Sequence, residues 1–338
     1  TNHQPFIIAE MSGNHNGSLD RALEIVDAAA ASGVQAIKLQ TYTADTMTVD
    51  LQSDDFFIDD PNSLWKNQSL YSLYSKASTP WEWHEKIFKR ARAKGLICFS
   101  TPFDDSSVDF LENFDMPCYK IASFECVDLP LIQKVASTGK PIIISTGAAS
   151  ISEINDAIIA ARTAGCSELA LLKCTSSYPA SPKHINLNTI PHMRDLFECE
   201  IGVSDHTLGI GVSIAGIALG ATIIEKHFTL DCSDGGVDSS FSLDPAGMKA
   251  LVDESKRAWL ALGGIKYGPT SIEGRAVERR RSLYITEDVK AGDKLTTTNM
   301  RRIRPGKGLS PKYYYILLGK KVCKNARKGT PLSWDLIE

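Results

Sequence analysis

Eight short apolar runs, each followed by a stretch of helical periodicity, fill most of this chain. They cover residues 5–12, 36–41, 96–101, 118–123, 141–146, 169–175, 201–206 and 222–228. Because most of the runs are apolar on both faces, they are typical of a parallel sheet covered by helices. Eight such units match a closed barrel better than an open sheet, and no GxGxxG motif follows the first run. The sequence therefore predicts an α/β fold, a (β/α)8 TIM barrel.

Local signals predict where individual helices begin and end. Ser18 is suited to cap the first helix, and Gly33 is suited to end it. Thr79, Pro80 and Glu82 form a capping-box pattern, which predicts that the helix before the third strand begins directly after Thr79. A long irregular insertion separates this helix from the second strand, and its length favours a functional loop.

The pattern changes after about residue 270, where short β-like stretches alternate with turn signals such as AGD and PGKG. This change indicates a second, smaller domain. We therefore predict three parts, namely the barrel over residues 1–267, a linker over 268–278, and a small, mostly β domain over 279–338.

Bulk composition argues against several classes of function. The net charge of -3 gives no global field for binding nucleic acid. No apolar run approaches the ~20 residues that span a bilayer, and the first residues lack the basic and long apolar regions of a signal peptide. The 8 cysteines include no CxxC pair, which favours reduced structural thiols. We expect a cytoplasmic protein with neither a nucleic-acid nor a membrane partner.

Two histidines stand out among the polar residues at the predicted strand ends. His206 lies at the end of the seventh strand, and His227 lies near the end of the eighth. Both side chains would reach the carboxyl-terminal mouth of a barrel from adjacent strands, which lie about 4.8 Å apart. Two imidazoles there can share a hydrated divalent cation such as Mn²⁺, Mg²⁺, Co²⁺ or Zn²⁺. The alternative is that one or both are hydrogen-bonded core histidines.

Lysines and hydroxyls at the strand ends suggest an anion site. Lys38 and Lys120 lie within predicted strands, where an unpaired ammonium is costly to bury. Hydroxyl residues at neighbouring strand ends could complete a cradle for a phosphate or a carboxylate, and they are Thr101, Ser123, Ser145, Ser176 and Ser204. The alternative is internal ion pairing of the lysines with Glu10, Glu125 or Glu225.

A third lysine supports a rival chemistry. Lys173, in the sixth predicted strand, could form a Schiff base with a carbonyl substrate. Such an aldolase has little use for a two-histidine metal site, so the two hypotheses compete.

The ordered motifs along the chain resemble those of the sialic acid synthases. They are AE-x(3)-NH-x-G (9–17), IKLQT (37–41), STPF (100–103), YKIAS-x-E (119–125), STG (145–147), KCTSSYP (173–179), SDHT (204–207) and EKHF (225–228). The C-terminal region resembles the small antifreeze-like (SAF) domain that follows the barrel in this family. The resemblance implies an enzyme that condenses phosphoenolpyruvate with an acetamido-hexose to give a nine-carbon 2-keto acid.

Within this family the chain looks most similar to the pseudaminic acid synthases. The features that carry this similarity are the insertion with LW at 64–65 and LYSLYSKASTPWEWHEKIF at 70–88, and the segment GGVDSSFSLDP at 235–245. The similarity implies 2,4-diacetamido-2,4,6-trideoxy-L-altrose as the sugar, and a product used in flagellin glycosylation or surface polysaccharide. An N-acetylneuraminate or legionaminate synthase, which takes another hexosamine, is the alternative.

The resemblance also implies roles for individual residues. Glu10 would act as acid/base, and His206 and His227 would hold a divalent ion such as Mn²⁺, Mg²⁺ or Co²⁺. The positions assigned to phosphoenolpyruvate are Lys38, Thr101, Lys120, Ser123, Ser145, Ser176 and Ser204, of which Lys120 also belongs to the catalytic set. The positions assigned to the sugar or to the substrate more generally are Gln40, Glu125, Tyr178 and Asp238.

The resemblance finally implies a homodimer with a swapped C-terminal domain. Arg281, in the RRRS segment, matches the arginine that the small domain inserts into a neighbouring barrel. Arg280 is the alternative for this role.

Overall fold

The computed structural model describes residues 3–61 and 63–338. The chain divides into two compact units, Thr1–Gly263 and Gly264–Glu338. Each unit has its own cluster of buried apolar side chains.

The strands fall into one large sheet and two small ones. In chain order they are β1 (Phe6–Glu10), β2 (Ala36–Thr41), β3 (Phe57–Ile58), β4 (Gln68–Ser69), β5 (Ile97–Pro102), β6 (Tyr119–Ile121), β7 (Ile142–Ser145), β8 (Leu169–Cys174), β9 (Glu200–Asp205), β10 (Ile223–His227), β11 (Ser282–Ile285) and β12 (Met300–Ile303). Eight of them close into a barrel in the order β1-β10-β9-β8-β7-β6-β5-β2, and every pairing in it is parallel. The predicted (β/α)8 fold is therefore confirmed.

Helices connect and cover the strands. They are α1 (Leu19–Ser32), α2 (Ala44–Met47), α3 (Leu70–Ala77), α4 (His84–Ala93), α5 (Asp105–Leu111), α6 (Leu129–Ala136), α7 (Ile151–Thr163), α8 (Thr189–Phe197), α9 (Gly211–Ala218), α10 (Pro245–Leu262), α11 (Gly274–Val277) and α12 (Tyr314–Leu317). In β1 the consecutive residues Ile7 and Ile8 are 1% and 0% exposed, so both faces of this strand are covered. That is why the strand reads as a continuous apolar run in the sequence.

One predicted helix start is confirmed and another is wrong. Ser18 caps α1 by accepting a hydrogen bond from the Arg21 amide, and Gly33 ends the helix in the left-handed conformation. Thr79 caps no helix, because a 3-10 turn over Trp81–Trp83 precedes α4. The Thr79 hydroxyl is instead hydrogen-bonded to His15 Nε2 at 3.3 Å.

The insertion between β2 and α4 has its own structure. It contains α2, the antiparallel pair β3–β4 and α3. The Trp65 indole N–H donates to the Val237 carbonyl at 2.8 Å, which ties the insertion to the loop after β10. The insertion is therefore anchored beside the carboxyl-terminal end of the barrel.

The second unit is small and built from β structure and turns. Strands β11 and β12 pair antiparallel, and isolated bridges such as Tyr284–Pro331 and Val322–Ile337 extend the pairing. The linker predicted over residues 268–278 contains a 3-10 turn (Ser271–Glu273) and α11. Leu283, Ile285 and Leu295 are among the residues that form the core of this unit.

No helix in the described residues combines the length and the apolar content that crossing a membrane requires. All eight cysteines are free thiols, as the sequence predicts.

Candidate active site

The carboxyl-terminal ends of three neighbouring strands bring charged residues side by side. In the sheet register Glu10 of β1 pairs with Lys38 of β2 on one side and with His227 of β10 on the other. Glu225 lies two residues before His227, so both side chains leave β10 on the same face. All four residues are buried. The predicted convergence of these strand ends is therefore present in the fold.

Two lysines and two carboxylates form a buried charge cluster. The Lys38 ammonium lies 2.5 Å from Glu10 Oε2 and 3.8 Å from Glu225 Oε2, and the Lys120 ammonium lies 3.9 Å from Glu225 Oε1. The internal ion pairing considered as an alternative therefore exists. It coexists with the hydroxyls predicted for an anion cradle, because Lys38 donates to Thr101 Oγ1 at 3.0 Å and Lys120 donates to Ser145 Oγ at 2.6 Å.

The cluster shifts the pKa values of its members. Burial raises the pKa of Glu10 to about 7, although Lys38 opposes this change. Burial lowers the pKa of Lys120. Burial also lowers the pKa of Lys38, but the negative charges of Glu10 and Glu225 outweigh burial, so the pKa of Lys38 is raised. A carboxyl group with a pKa near neutrality can both accept and donate a proton under physiological conditions, which suits Glu10 for acid–base chemistry.

Glu225 belongs to this cluster, although the sequence offered it only as an ion-pair partner. Burial raises its pKa, but Lys120 and Lys38 outweigh burial, so the pKa of Glu225 is lowered and the carboxylate stays charged. Ser204 donates to its Oε1 at 3.1 Å. The sequence spacing could have identified Glu225, because a residue two positions before His227 in a strand points to the same face of the sheet as His227.

A narrow recess lies where the loops after β6, β7 and β8 meet. The Gly147 amide donates to Ser123 Oγ at 3.1 Å. A Cβ atom at position 147 would lie 2.2 Å from Ser176 Oγ and 2.8 Å from Ser123 Oγ, so only glycine fits without displacing them. The fold thus gathers Ser123 and Ser176 around one backbone amide close to Ser145, an arrangement suited to oxygen atoms of an anion.

The two histidines face each other at the mouth. The centroids of the His206 and His227 rings are 5.3 Å apart. His206 Nδ1 lies 3.1 Å from the Thr175 carbonyl oxygen, so that nitrogen carries a proton. Burial lowers the pKa of His206, but the contact with Cys174 outweighs burial, so the pKa is raised. Burial, reinforced by the charges of His206 and Lys38, lowers the pKa of His227 well below its ordinary value.

The ring nitrogens of His206 and His227 fit a divalent cation that is held by only two protein ligands. Among the described residues no group of three or more His, Cys, Asp and Glu side chains is arranged to hold a metal ion, so the pair stands without a third protein ligand. His227 Nδ1 is buried and makes no hydrogen bond within the described part of the chain, while Asp238 Oδ2 lies 3.6 Å away. A neutral imidazole with an unused ring nitrogen is what a divalent ion requires. The metal role of the two histidines stays a prediction.

A cavity of about 450 Å³ opens above the charge cluster, because its wall includes Gln40 and His227, which lie two positions beyond Lys38 in β2 and Glu225 in β10. Its wall includes the predicted substrate residues Gln40, Ser123, Glu125, Tyr178 and Asp238, together with His227. Burial raises the pKa values of Glu125 and Asp238. The Tyr178 ring lies 4.6 Å from the ring of His206, between centroids. The predicted sugar-binding residues therefore share one cavity with one of the paired histidines.

Lys173 does not line this cavity. Its side chain leaves β8 next to Cys174, and its ammonium donates to the Cys174 carbonyl at 2.8 Å. It lines a separate cavity together with residues of α7 and α8 such as Ile154 and Met193. Burial lowers the pKa of Lys173, as a Schiff-base lysine requires, but the side chain lines this second cavity and not the one that His227 and Asp238 line.

Arg281 directly precedes β11 in the second unit and is exposed, as is Arg280. The role of Arg281 in a neighbouring barrel stays a prediction.

A closed (β/α)8 barrel with buried acid–base groups at its carboxyl-terminal mouth defines a TIM-barrel enzyme, here followed by a small β unit. The chain belongs to the NeuB family, whose model matches residues 25–267, and the SAF domain model matches residues 280–338.

Individual relatives agree with this assignment. The chain is 44% identical to the pseudaminic acid synthase of Helicobacter pylori, over 99% of this chain and 98% of that protein. It is 36% identical to the N,N'-diacetyllegionaminic acid synthase of Legionella pneumophila, over 98% of this chain and 94% of that protein. Among solved structures, it matches the N-acetylneuraminic acid synthetase of Leptospira borgpetersenii, in complex with citrate, with a TM-score of 0.73 and 32% identity over 82% of this chain and 91% of that chain.

Proposed function

We propose that this enzyme condenses phosphoenolpyruvate with open-chain 2,4-diacetamido-2,4,6-trideoxy-L-altrose and water to give pseudaminic acid and phosphate. The observation that carries the proposal is the buried Lys38–Lys120 pair with its hydroxyls, placed below a cavity that His227 and Asp238 line. The near-full-length similarity to the synthase of Helicobacter pylori supports the choice of sugar.

The charge cluster suits a trianionic substrate. The phosphate and carboxylate of phosphoenolpyruvate would compete with Glu10 and Glu225 for Lys38 and Lys120. Because the pKa of Glu10 is near 7, this carboxyl group can take up a proton when an anion arrives, which removes the repulsion between them. The hydroxyls of Thr101, Ser123, Ser145, Ser176 and Ser204 would then donate to the anionic oxygens.

The reaction joins carbon 3 of phosphoenolpyruvate to the aldehyde carbon of the sugar. Attack leaves cationic character at carbon 2, water adds there, and the resulting tetrahedral intermediate loses phosphate by cleavage of the C–O bond. Glu10 would move the protons that these steps require, and Lys120 and Ser145 would hold the phosphate until it leaves. Fixing two substrates in one buried cavity accounts for a large part of such a rate gain.

His206 and His227 would hold the divalent ion, Mn²⁺, Mg²⁺ or Co²⁺, and such an ion supplies Lewis-acid polarisation of the aldehyde oxygen. Gln40, Glu125, Tyr178 and Asp238 line the space above and would orient the sugar. Since phosphoenolpyruvate is a cytoplasmic metabolite, we place the enzyme in the cytoplasm.

A swapped homodimer would complete the site through Arg281. The supporting observation is that basic and acidic residues are distributed unevenly between the two units. In residues 264–338 basic residues outnumber acidic ones, whereas the whole chain has 37 basic and 40 acidic residues, so the barrel unit is acidic.

The test measures phosphate release from phosphoenolpyruvate with three kinds of sugar. They are 2,4-diacetamido-2,4,6-trideoxy-L-altrose, its bacillosamine-type isomers and N-acetylmannosamine. We expect the altrose derivative to give the highest kcat/KM. Preference for another of the three would reassign the enzyme to legionaminate or N-acetylneuraminate synthesis, and borohydride trapping of pyruvate on Lys173 would favour an aldolase.

A further inference from the structure

Two chemically different groups of residues line the mouth cavity. One group is polar and includes Gln40, Glu125 and Asp238. The other group comes from β2, the insertion and the loop after β5: its apolar members are Met47, Ile58, Leu70, Leu73 and Phe103, and Tyr42, Trp65 and Tyr74 line the cavity with them. None of the five apolar side chains has a strong hydrogen-bonding group. We call these five the apolar wall.

The apolar wall is held in place by contacts around it. Phe103 packs edge-on against Tyr42, with 5.1 Å between ring centroids, and Tyr42 packs in the same way against Tyr74 of α3 at 5.9 Å. Leu73, in the same helix, is only 6% exposed. Because the Trp65 indole also anchors the insertion to Val237, contacts within the protein hold the wall at the cavity.

The position of the wall determines which part of the sugar meets it. The reacting aldehyde carbon must lie close to His227 and above Lys38 and Lys120, at the floor of the cavity. A sugar that fills the cavity from that floor would meet the side chains of the insertion with its far end. A hydroxyl group placed against the wall would lose its hydrogen bonds to water without replacement, whereas a methyl group would gain by leaving water.

We propose that the apolar wall recognises a deoxygenated, methyl-bearing far end of the sugar, so that Ile58, Leu70 and Leu73 determine specificity for a 6-deoxy substrate. This inference rests on the proposed function. It makes the insertion, which no catalytic step uses, the element that selects the sugar. An apolar surface of this kind rejects an added hydroxyl by about 10- to 100-fold in kcat/KM.

The experiment compares two sugars that differ only at carbon 6. They are 2,4-diacetamido-2,4,6-trideoxy-L-altrose and the corresponding 6-hydroxy sugar, each assayed with phosphoenolpyruvate by phosphate release. We expect the intact enzyme to favour the 6-deoxy sugar by about 10- to 100-fold. Ile58→Thr, which keeps the branched shape and adds a hydroxyl, should reduce this ratio about fivefold, and Leu70→Thr should act in the same direction.

Val49→Thr is the matched control, because Val49 lies in the same insertion but is 50% exposed and outside the cavity wall. It should leave the ratio unchanged. Equal kcat/KM values for the two sugars, or equal ratios in Ile58→Thr, Leu70→Thr and Val49→Thr, would overturn the role of the wall while leaving the proposed function in place. No phosphate from either sugar would overturn the proposed function and this inference with it.

Discussion

Lys38 and Glu10 face each other across strands β2 and β1, with 2.5 Å between the ammonium nitrogen and a carboxylate oxygen. Both side chains are buried, so each needs the other to offset the loss of hydration. Glu225 and Lys120 extend the pair into a cluster of two positive and two negative groups. Binding of the phosphoenolpyruvate trianion would add negative charge to this cluster. We therefore expect binding to be coupled to the protonation of Glu10.

Replacing Glu10 with glutamine should separate binding from turnover. The amide keeps the shape of the side chain but cannot move a proton, so kcat should fall by about 10²- to 10⁴-fold. The KM for phosphoenolpyruvate should stay equal or decrease, because Lys38 no longer has a competing carboxylate partner. Steady-state phosphate release measures both constants. Glu24→Gln, at an exposed position in α1, is the control, and a Glu10→Gln enzyme with normal kcat would contradict the acid–base role.

The sequence was sufficient to predict the barrel and most of the mouth. Parallel strands buried on both faces give continuous apolar runs, so a polar residue within such a run, as Lys38 is, or at its end, as Ser145 is, stood out. Capping at Ser18 and Gly33 was predictable because both signals act within one helical turn.

Features that depend on packing between distant segments were not predictable. Thr79 satisfies a local capping pattern, but its hydroxyl bonds to His15, from a loop 64 positions away in sequence. Ser12 donates to Asp238 across 226 positions, a contact that no local pattern encodes. Likewise the recess at Gly147 exists only because the loops carrying Ser123 and Ser176 meet there.

Gly147→Ala tests that recess. The new methyl group would lie 2.2 Å from Ser176 Oγ and 2.8 Å from Ser123 Oγ, so at least one hydroxyl must move. We expect the KM for phosphoenolpyruvate to rise about tenfold, equivalent to the loss of about one hydrogen bond to a charged group. Gly211→Ala is the control, because no atom lies within 4 Å of its added Cβ. If both variants have the same KM, the recess does not hold the anion.

His206→Ala and His227→Ala test the metal site. Each should abolish phosphate release, since two protein ligands leave no redundancy, and each should also weaken the binding of Mn²⁺ measured by calorimetry in the absence of substrates. Treatment of the unmodified enzyme with EDTA should mimic the variants, and added Mn²⁺ should restore activity. His192→Ala, at an exposed position in α8, is the control. Full turnover by the stripped enzyme would refute the assignment.

Subunit mixing tests the role of Arg281. An Arg281→Ala subunit keeps an intact barrel, and a Glu10→Gln subunit keeps an intact arginine. If the arginine acts on the neighbouring barrel, the mixed dimer contains one complete site and should recover up to half of the normal activity per dimer. Phosphate release after mixing and subunit exchange measures this, with Arg280→Ala as the parallel variant. No recovery with either arginine variant would mean that the small domain does not act across a dimer.

The stability of the protein should depend on pH through His84 and His15. His84 is fully buried, and burial lowers its pKa from 6.5 to about 4. Burial also lowers the pKa of His15 to about 4. Between pH 4 and 6.5 the unfolded chain therefore binds more protons at these positions than the folded chain does. The free energy of unfolding should be highest above pH 6.5 and fall as the pH decreases, by about 3 kcal/mol for each histidine once the pH is below 4.

Urea unfolding across this pH range measures the effect, and His84→Gln isolates one contribution. The His84 ring is hydrogen-bonded to Thr41 Oγ1 at 2.8 Å and packs against Phe110 and Phe114, so a charged imidazole there would be poorly solvated. Glutamine cannot be protonated, so the decrease in stability between pH 6.5 and 4 should shrink by about 3 kcal/mol, the contribution of His84, while the buried rings of His15 and His227 still contribute. His192→Gln, at an exposed position, should retain the full decrease. An unchanged slope in His84→Gln would show that protonation of this buried ring does not limit stability in acid.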